Sequence, residues 1–182
     1  MNKFIKEIVP YLIIFVVVVL IRSFIITPIT VVGSSMYPTL KNGELLLLSK
    51  ISYKINDIER FDVVVIKEDD WIIKRVIGLP GEDISYKDNK LYINDEVFED
   101  EYANGETEDF NLEDIWLAGL DNEYIEKFDE AFTVIPDGYY LVLGDNRDIS
   151  KDSRSVGLIP EDEIRGKAVV RFWPLSKISL VK

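Results

Sequence analysis

A mostly β domain behind an N-terminal membrane-spanning helix is the fold class this sequence predicts, and three observations predict it. Ile8 to Ile26 form one long apolar run. Beyond it the chain breaks into short β-branched runs separated by Gly, Pro, Asn and Asp, the pattern of an antiparallel, barrel-like or sandwich β domain. The acidic charge is gathered into one segment, 99–130, whose spacing suits short helices.

Ile8–Ile26 is 19 residues long, about 28 Å as a helix, close to the hydrocarbon thickness of a bilayer, about 30 Å. Ile8 to Ile21 carry no charge, and Arg22 lies near enough to the end to reach the interface. Pro10 falls in the first turn, where its missing N–H costs no hydrogen bond. A cleavable leader would need a small-residue cleavage site, whereas the first alanine of the chain is Ala103. The segment therefore reads as a retained anchor. Lys3 and Lys6 favour a cytoplasmic N-terminus, with Glu7 and Arg22 weakening the bias. Residues 1–27 become the cytoplasmic N-terminus and anchor, and 28–182 an extracytoplasmic β domain.

In that domain Leu45–Leu48 follows a Lys41-Asn42-Gly43-Glu44 turn. Asp62–Lys67 and Trp71–Ile77 flank Glu68-Asp69-Asp70 as a hairpin. Ile84–Lys87 and Lys90–Ile93 enclose Asp88-Asn89, a second hairpin with a turn at Asn94-Asp95 after it. Tyr139–Leu143 and Lys167–Phe172 complete the strands. In 99–130, Asn111 and Asp121 are placed to cap helices at 112–120 and 122–132. This small, partly helical acidic insertion reads as a solvated surface excursion.

Composition narrows the chemistry. The net charge of −12 is local: 99–130 holds 13 acids and one base, and the remainder has 20 of each. With no basic patch, a nucleic-acid partner has no support. The chain contains no cysteine and no histidine, which removes disulfides, thiolate chemistry, imidazole bases and the commonest metal ligand. A serine nucleophile here must use another base, and lysine is the natural candidate.

Three stretches fit that requirement. Gly33-Ser34-Ser35-Met36-Tyr37-Pro38-Thr39-Leu40 lies just beyond the anchor. Gly33 permits close backbone approach, Pro38 stiffens the loop, and the Ser35 N–H offers a donor for a tetrahedral oxyanion. Lys74 sits within apolar Ile72-Ile73-Lys74-Arg75-Val76-Ile77, on one face with Ile72 and Val76. Desolvation there lowers an ammonium pKa from its reference of about 10.4, and the neutral amine can accept the Ser35 proton. The alternative is an edge-strand lysine paired in solvent; Arg75 is the outward neighbour suited to that part. The third stretch, Gly144 to Arg154, is dense in Asp, Asn, Ser and Arg, yet no register gives an EF-hand: from Asp145, positions three and five are Arg147 and Ile149. It reads as a polar loop wired internally, with Ser150 orienting the Lys74 amine and Asp152 paired with Arg154.

These stretches, in this order, resemble the boxes of the bacterial type I signal peptidases, in their compact Gram-positive branch. Ser35-Met36-x-Pro38-Thr39-Leu40, Lys74-Arg75-Val76-Ile77-Gly78-Leu79-Pro80-Gly81 and Gly144–Arg154 carry the likeness, supported by Gly157, Ile159-Pro160-Glu161, Gly166-Lys167-Ala168 and Arg171-Phe172-Trp173-Pro174-Leu175. It spans roughly 8–98 and 131–182 and leaves 99–130 unexplained. The resemblance implies Ser35 as acylating nucleophile, Lys74 as general base, Ser150 orienting the lysine, and Asp152, Arg154 and Asp145 as supports. It implies signal peptides of exported pre-proteins as substrate, cut after small residues at −1 and −3, in pockets drawn from Ile29, Val31, Val32, Leu40 and Ile73. The lipid bilayer and the export machinery follow as partners, with no cofactor and no metal. Gly33 departs from members that carry a serine there to complete the oxyanion hole, so a second donor must come from elsewhere. Two other readings share features: a self-cleaving serine–lysine repressor, which lacks an anchor, and a membrane-tethered β domain that only binds.

Overall fold

The computed structural model describes residues 3–67, 71–119 and 132–182, and for residues 3–6 and 20–24 the helical backbone alone. The Glu68-Asp69-Asp70 connection, the second acidic helix and the Arg22 side chain lie outside the described residues. Helix α1 (Lys3–Phe24) has 22 residues, about 33 Å of helix. Its described side chains run from Glu7 to Val19 and all are exposed. Among the described residues no helix is long and apolar enough to cross a membrane.

The helix stops two residues short of the expected Ile26, because Ile26 already belongs to a sheet. Strand β1 (Ile26–Thr30) pairs antiparallel with β2 (Leu45–Ser49), Ile26 opposite Ser49 and Thr30 opposite Leu45. Pro28 is accommodated because β1 is an edge strand, with one side free of ladder bonds. A short helix α2 (Ser52–Ile55) leads to β3 (Val63–Lys67) and β4 (Trp71–Gly78), paired antiparallel as expected. The hairpin β5 (Ile84–Lys87) and β6 (Lys90–Ile93) turns at Asp88 and Asn89, both at positive φ, the backbone that type I′ turns require. The polar residues Asn94 and Asp95 make a like turn into a strand not foreseen, β7 (Glu96–Phe98). After α3 (Leu112–Ala118) come β8 (Tyr139–Leu143), α4 (Ser153–Val156), β9 (Ile159–Pro160), β10 (Ile164–Trp173) and β11 (Ser179–Leu180).

The main sheet runs β1-β2-β10-β3-β4-β8-β9, with β11 along β10 and every pair antiparallel. It is a curled half-barrel with open edges at β1 and β9. Strands β5, β6 and β7 form a separate three-stranded sheet. Strand β3 is buried on both faces. Val63 and Val65 join Val31, Met36, Leu40, Leu46, Leu48 and Ile73 in one cluster; Val64 and Ile66 join Val76, Tyr140 and Val142 in another. The period of two along a strand makes this division. A third cluster unites the small sheet with α3 through Tyr86, Leu91, Phe110, Leu112 and Ile115.

The insertion differs from the solvated excursion expected of it. Thr107, Phe110, Leu112 and Ile115 are buried, and Phe110 exchanges backbone hydrogen bonds with Tyr86. Charge count hid this, because the apolar residues are few and widely spaced among acids. The first helix is as expected: Asn111 caps α3, accepting from the Asp114 N–H at 3.0 Å, while Asp114 accepts from the Asn111 N–H at 2.8 Å.

One brace ties β10 to the chain after β1. Arg171 donates to Glu44 Oε2 at 3.1 Å and to the Thr39 carbonyl at 3.1 Å. Burial raises the Glu44 pKa, but hydrogen bonds from the Lys41 N–H and Arg171, with the charges of Arg171 and Lys177, outweigh it and leave it below the usual carboxylate value. A depressed folded-state pKa contributes stability that is present above the unfolded value and lost as pH falls through the folded one. Glu44→Gln should therefore lower the melting temperature at pH 7, by about 1–3 kcal/mol of stability, and the deficit should shrink towards pH 3. Melts of both proteins at the two pH values check this; an equal deficit at both would mean the charge is not the stabilising feature.

Candidate active site

Ser35 sits in the turn between β1 and β2. Met36 and Leu40, which follow it at 2% and 1% exposure, plug into one core cluster. The Leu40 N–H donates to the Met36 carbonyl at 2.8 Å and the Tyr37 N–H to the Ser34 carbonyl at 3.1 Å. These local bonds and the Arg171–Thr39 contact fix the loop while leaving Ser35 partly exposed. Gly33 adopts φ +85°, a conformation that disfavours a side chain although nothing lies within 4 Å of its missing Cβ. Its N–H is committed to Asn42 Oδ1 at 3.0 Å.

Lys74 lies mid-strand in β4, opposite Val64 of β3, and is only 4% exposed. Its burial excludes a lysine reaching solvent from an edge, although β8 pairs with β4 only from Arg75 onward. Ser35 and Lys74 line one cleft of about 480 Å³, together with Val31, Val32, Gly33 and Ile73. Thr30, Met36, Trp71 and Ile72 also line it and were not anticipated. Leu40 does not line the cleft; it lies in the core cluster with Val31 and Ile73, against which Ile29 packs. The signal that could have found Met36 is an apolar side chain adjacent to the serine. Trp71 shares a strand face with Ile73 by alternation, which is the signal that could have found it.

The Gly144–Arg154 loop docks directly on the serine turn. The Asn146 N–H donates to the Ser35 carbonyl at 2.9 Å and Asn146 Nδ2 to the Ser34 carbonyl at 3.2 Å. Gly144 is needed here for space: a Cβ would stand 2.2 Å from Ser150 Oγ and 2.5 Å from the Ser35 carbonyl oxygen. Ser150 is thus packed beside the serine turn, its Oγ buried and without a hydrogen bond. Asp152, 1% exposed, accepts from the Gly144 N–H at 2.9 Å and takes both Arg154 Nε at 2.9 Å and an Arg154 terminal nitrogen at 3.0 Å. Arg154 also donates to the Arg147 carbonyl at 2.9 Å. The expected Asp152–Arg154 pair is present, whereas the expected hydrogen bond from Ser150 is not, among the described residues.

Arg75 reverses its expected role. It is fully buried, and its guanidinium grips Asp145 at 2.8 and 2.7 Å, both side chains at 0% exposure. Its remaining nitrogen donates to the Phe61 carbonyl at 2.8 Å, and the Tyr102 ring centroid lies 3.6 Å from the guanidinium Cζ. Alternation predicts an outward residue only where one face of a strand meets solvent, and β4 is buried on both. The pair locks the residue after Lys74 to the loop that bears Ser150 and Asp152.

Comparison with known proteins gives the family. Residues 2–173 match the family model described as signal peptidase, peptidase S26. The chain is 43% identical to signal peptidase IB of Staphylococcus aureus (strain Mu50 / ATCC 700699) over 170 residues, covering 90% of this chain and 86% of that protein. It is 37% identical to signal peptidase I of Bacillus caldolyticus over 182 residues, covering 93% and 92%. A crystal structure of a signal peptidase I from Enterococcus faecalis V583 is 31% identical, covers 62% of this chain and 97% of that one, and superposes with a TM-score of 0.48. The protein is accordingly a serine endopeptidase of the peptidase S26 family, a bacterial type I signal peptidase.

Proposed function

We propose that this enzyme is anchored in the membrane by α1, N-terminus inside, and removes signal peptides at the outer surface with a Ser35–Lys74 dyad. The observation that carries the reading is that Ser35 and Lys74 share one cleft, in a chain without histidine. Burial of Lys74 supports the base assignment, since a low-dielectric setting opposes the ammonium form. The apolar run 8–26 and the exposure of every described α1 side chain support the anchor. A helix apolar on all sides has its natural solvent in lipid.

In the mechanism, Ser35 Oγ attacks the carbonyl carbon of the −1 residue while its proton passes to Lys74 Nζ. The oxyanion accepts from the Ser35 N–H. As the intermediate collapses, the C–N bond breaks and the Lys74 ammonium protonates the departing amine of the mature chain. The signal peptide is left as an ester on Ser35. Water then attacks that ester, Lys74 takes its proton and returns it to Ser35 Oγ, and the cleaved signal leaves. Val31, Val32 and Ile73 beside Ser35 present β-branched side chains that leave room for small −1 and −3 residues. Ser150 Oγ makes no hydrogen bond of its own, and on this reading it is the group that steadies the lysine; Asp152 and Arg154 hold its loop.

The test is cleavage of an exported precursor by the detergent-solubilised full-length protein, with the product N-terminus sequenced. Cutting is expected after a small −1 residue, and a precursor with Ala→Leu at −1 should be cut more slowly by about 5- to 150-fold, the rate equivalent of an overpacking cost of about 1–3 kcal/mol. A precursor left intact from pH 6 to pH 10, or one cut equally well with leucine at −1, would overturn this reading.

A further inference from the structure

The Gly144–Arg154 loop is gripped from a direction the reaction does not explain. Asp100, the second acid of the insertion, pairs with Arg147 at 2.6 Å, with side-chain exposures of 5% and 0%. Tyr86 completes the group: its phenol donates to Asp100 and accepts from Arg147 at 2.7 Å. Burial raises the Tyr86 pKa, so the phenol stays a donor. Arg147 closes the connection by donating from Nε to the Gly144 carbonyl at 3.0 Å.

The residues after Asp100 continue the contact. Tyr102 covers the Arg75 guanidinium that holds Asp145. The Asn104 N–H donates to the Asp145 carbonyl and the Arg147 N–H to the Asn104 carbonyl, each at 2.8 Å, a parallel bridge. Asp148 accepts from the Glu106 N–H at 3.0 Å. Between Asp145 and Asp148 the loop therefore has the serine turn bonded to Asn146 and the insertion bonded to its other members. The insertion thus adds a hold on Arg147 and Asp148 to those of the serine turn and Arg75.

We propose that residues 100–107 form a strap that positions the Gly144–Arg154 loop, with Asp100 as its fastening, and so sets where Ser150 and Asp152 stand relative to Lys74. This rests on the dyad reading above. Asp100 is a positioning residue: it acts through Arg147 and touches neither the serine nor the lysine. A displaced loop misplaces the groups around the base without altering the −1 and −3 walls, so turnover falls while substrate binding stays. The acidic insertion thereby gains a part in turnover through the geometry it imposes, independent of its net charge.

The experiment compares full-length wild type, Asp100→Asn, Asp100→Glu and Gly105→Ala for precursor cleavage and melting temperature. Gly105 has φ +94°, and an added Cβ would stand 2.5 Å from Asp148 Oδ2, so its substitution lifts the strap without touching Asp100. The expected result is kcat lower by about 10- to 100-fold in Asp100→Asn and Gly105→Ala, the scale of an ångström-sized misplacement. KM should stay within about two-fold, and Asp100→Glu should recover part of kcat by restoring the charge. If Asp100→Asn fails to fold, Gly105→Ala decides. Folded variants with kcat unchanged, a rise in KM alone, or loss of fold in both would overturn the strap. Wild type that cuts nothing, or Ser35→Ala that cuts like wild type, would instead strike down the dyad reading.

Discussion

Ser35→Ala and Lys74→Met should each leave an exported precursor uncut, with kcat lower by about 10⁴-fold or more, and the double substitution should be no worse than either alone. Groups that act as one unit in a single proton transfer lose the same barrier reduction whichever member is removed. Independent contributions would add. Lys74→Arg separates chemistry from packing. A guanidinium keeps the charge and much of the length but cannot give up its proton near neutrality. It should be as inactive as methionine. Activity of wild type should rise with pH without a step near 6.5, because the chain has no imidazole to titrate. Single-turnover cleavage from pH 6 to pH 10 reads all of this. Appreciable cleavage by Lys74→Arg would remove Lys74 as base and return it to a structural part.

Arg75→Met should cost stability on the scale of a broken buried ion pair, about 3–5 kcal/mol. Asp145 would be left at 0% exposure with its partner gone, and the Phe61 carbonyl would lose its donor. For a domain of this size that is a fall in melting temperature of roughly 6–20 °C. Arg75→Met combined with Asp145→Leu should recover much of it, since an apolar pair avoids the desolvation cost that the ion pair bears. Activity should not return with stability. The ion pair ties β4 to the Ser150 loop through directional bonds, and methionine and leucine have none to offer. Melts and precursor cleavage on the three proteins check both halves. A double variant that is stable and fully active would show that the pair contributes stability alone.

Much of the architecture could be read from the chain because its signals are local. Asp88-Asn89 between two alternating runs announces a hairpin, and Asn111 three residues before Asp114 announces a capping box; both are in the structure. The serine turn and Lys74 were readable as candidates because a buried lysine and a histidine-free sequence limit the chemistry, and the fold places them on one cleft. Strand β1 was hidden by its own composition: Ile26 continues the apolar run of the helix, and only the pairing with Ser49 separates the two. Arg75 was misjudged because alternation fails where a strand has no solvent face. Asp100 was illegible for another reason. Thirteen acids crowd 99–130, and nothing local distinguishes the one whose partner is Arg147, 47 residues further on.

One residue, Ile25, separates the end of α1 from the start of β1. That junction has no slack, and its brevity makes the first strand a ruler. Strand β1 is about 17 Å long, and the cleft begins where it ends, at Thr30 and Val31; if α1 is embedded in lipid as proposed, that length limits how far the cleft can stand from the headgroups. On that proposal the working height of the enzyme is bounded by a covalent distance, without any appeal to lipid binding by the domain. A swivel introduced after Ile25 would leave every bond in the cleft intact and still let the cleft drift away from the depth at which a membrane-inserted precursor presents its scissile peptide.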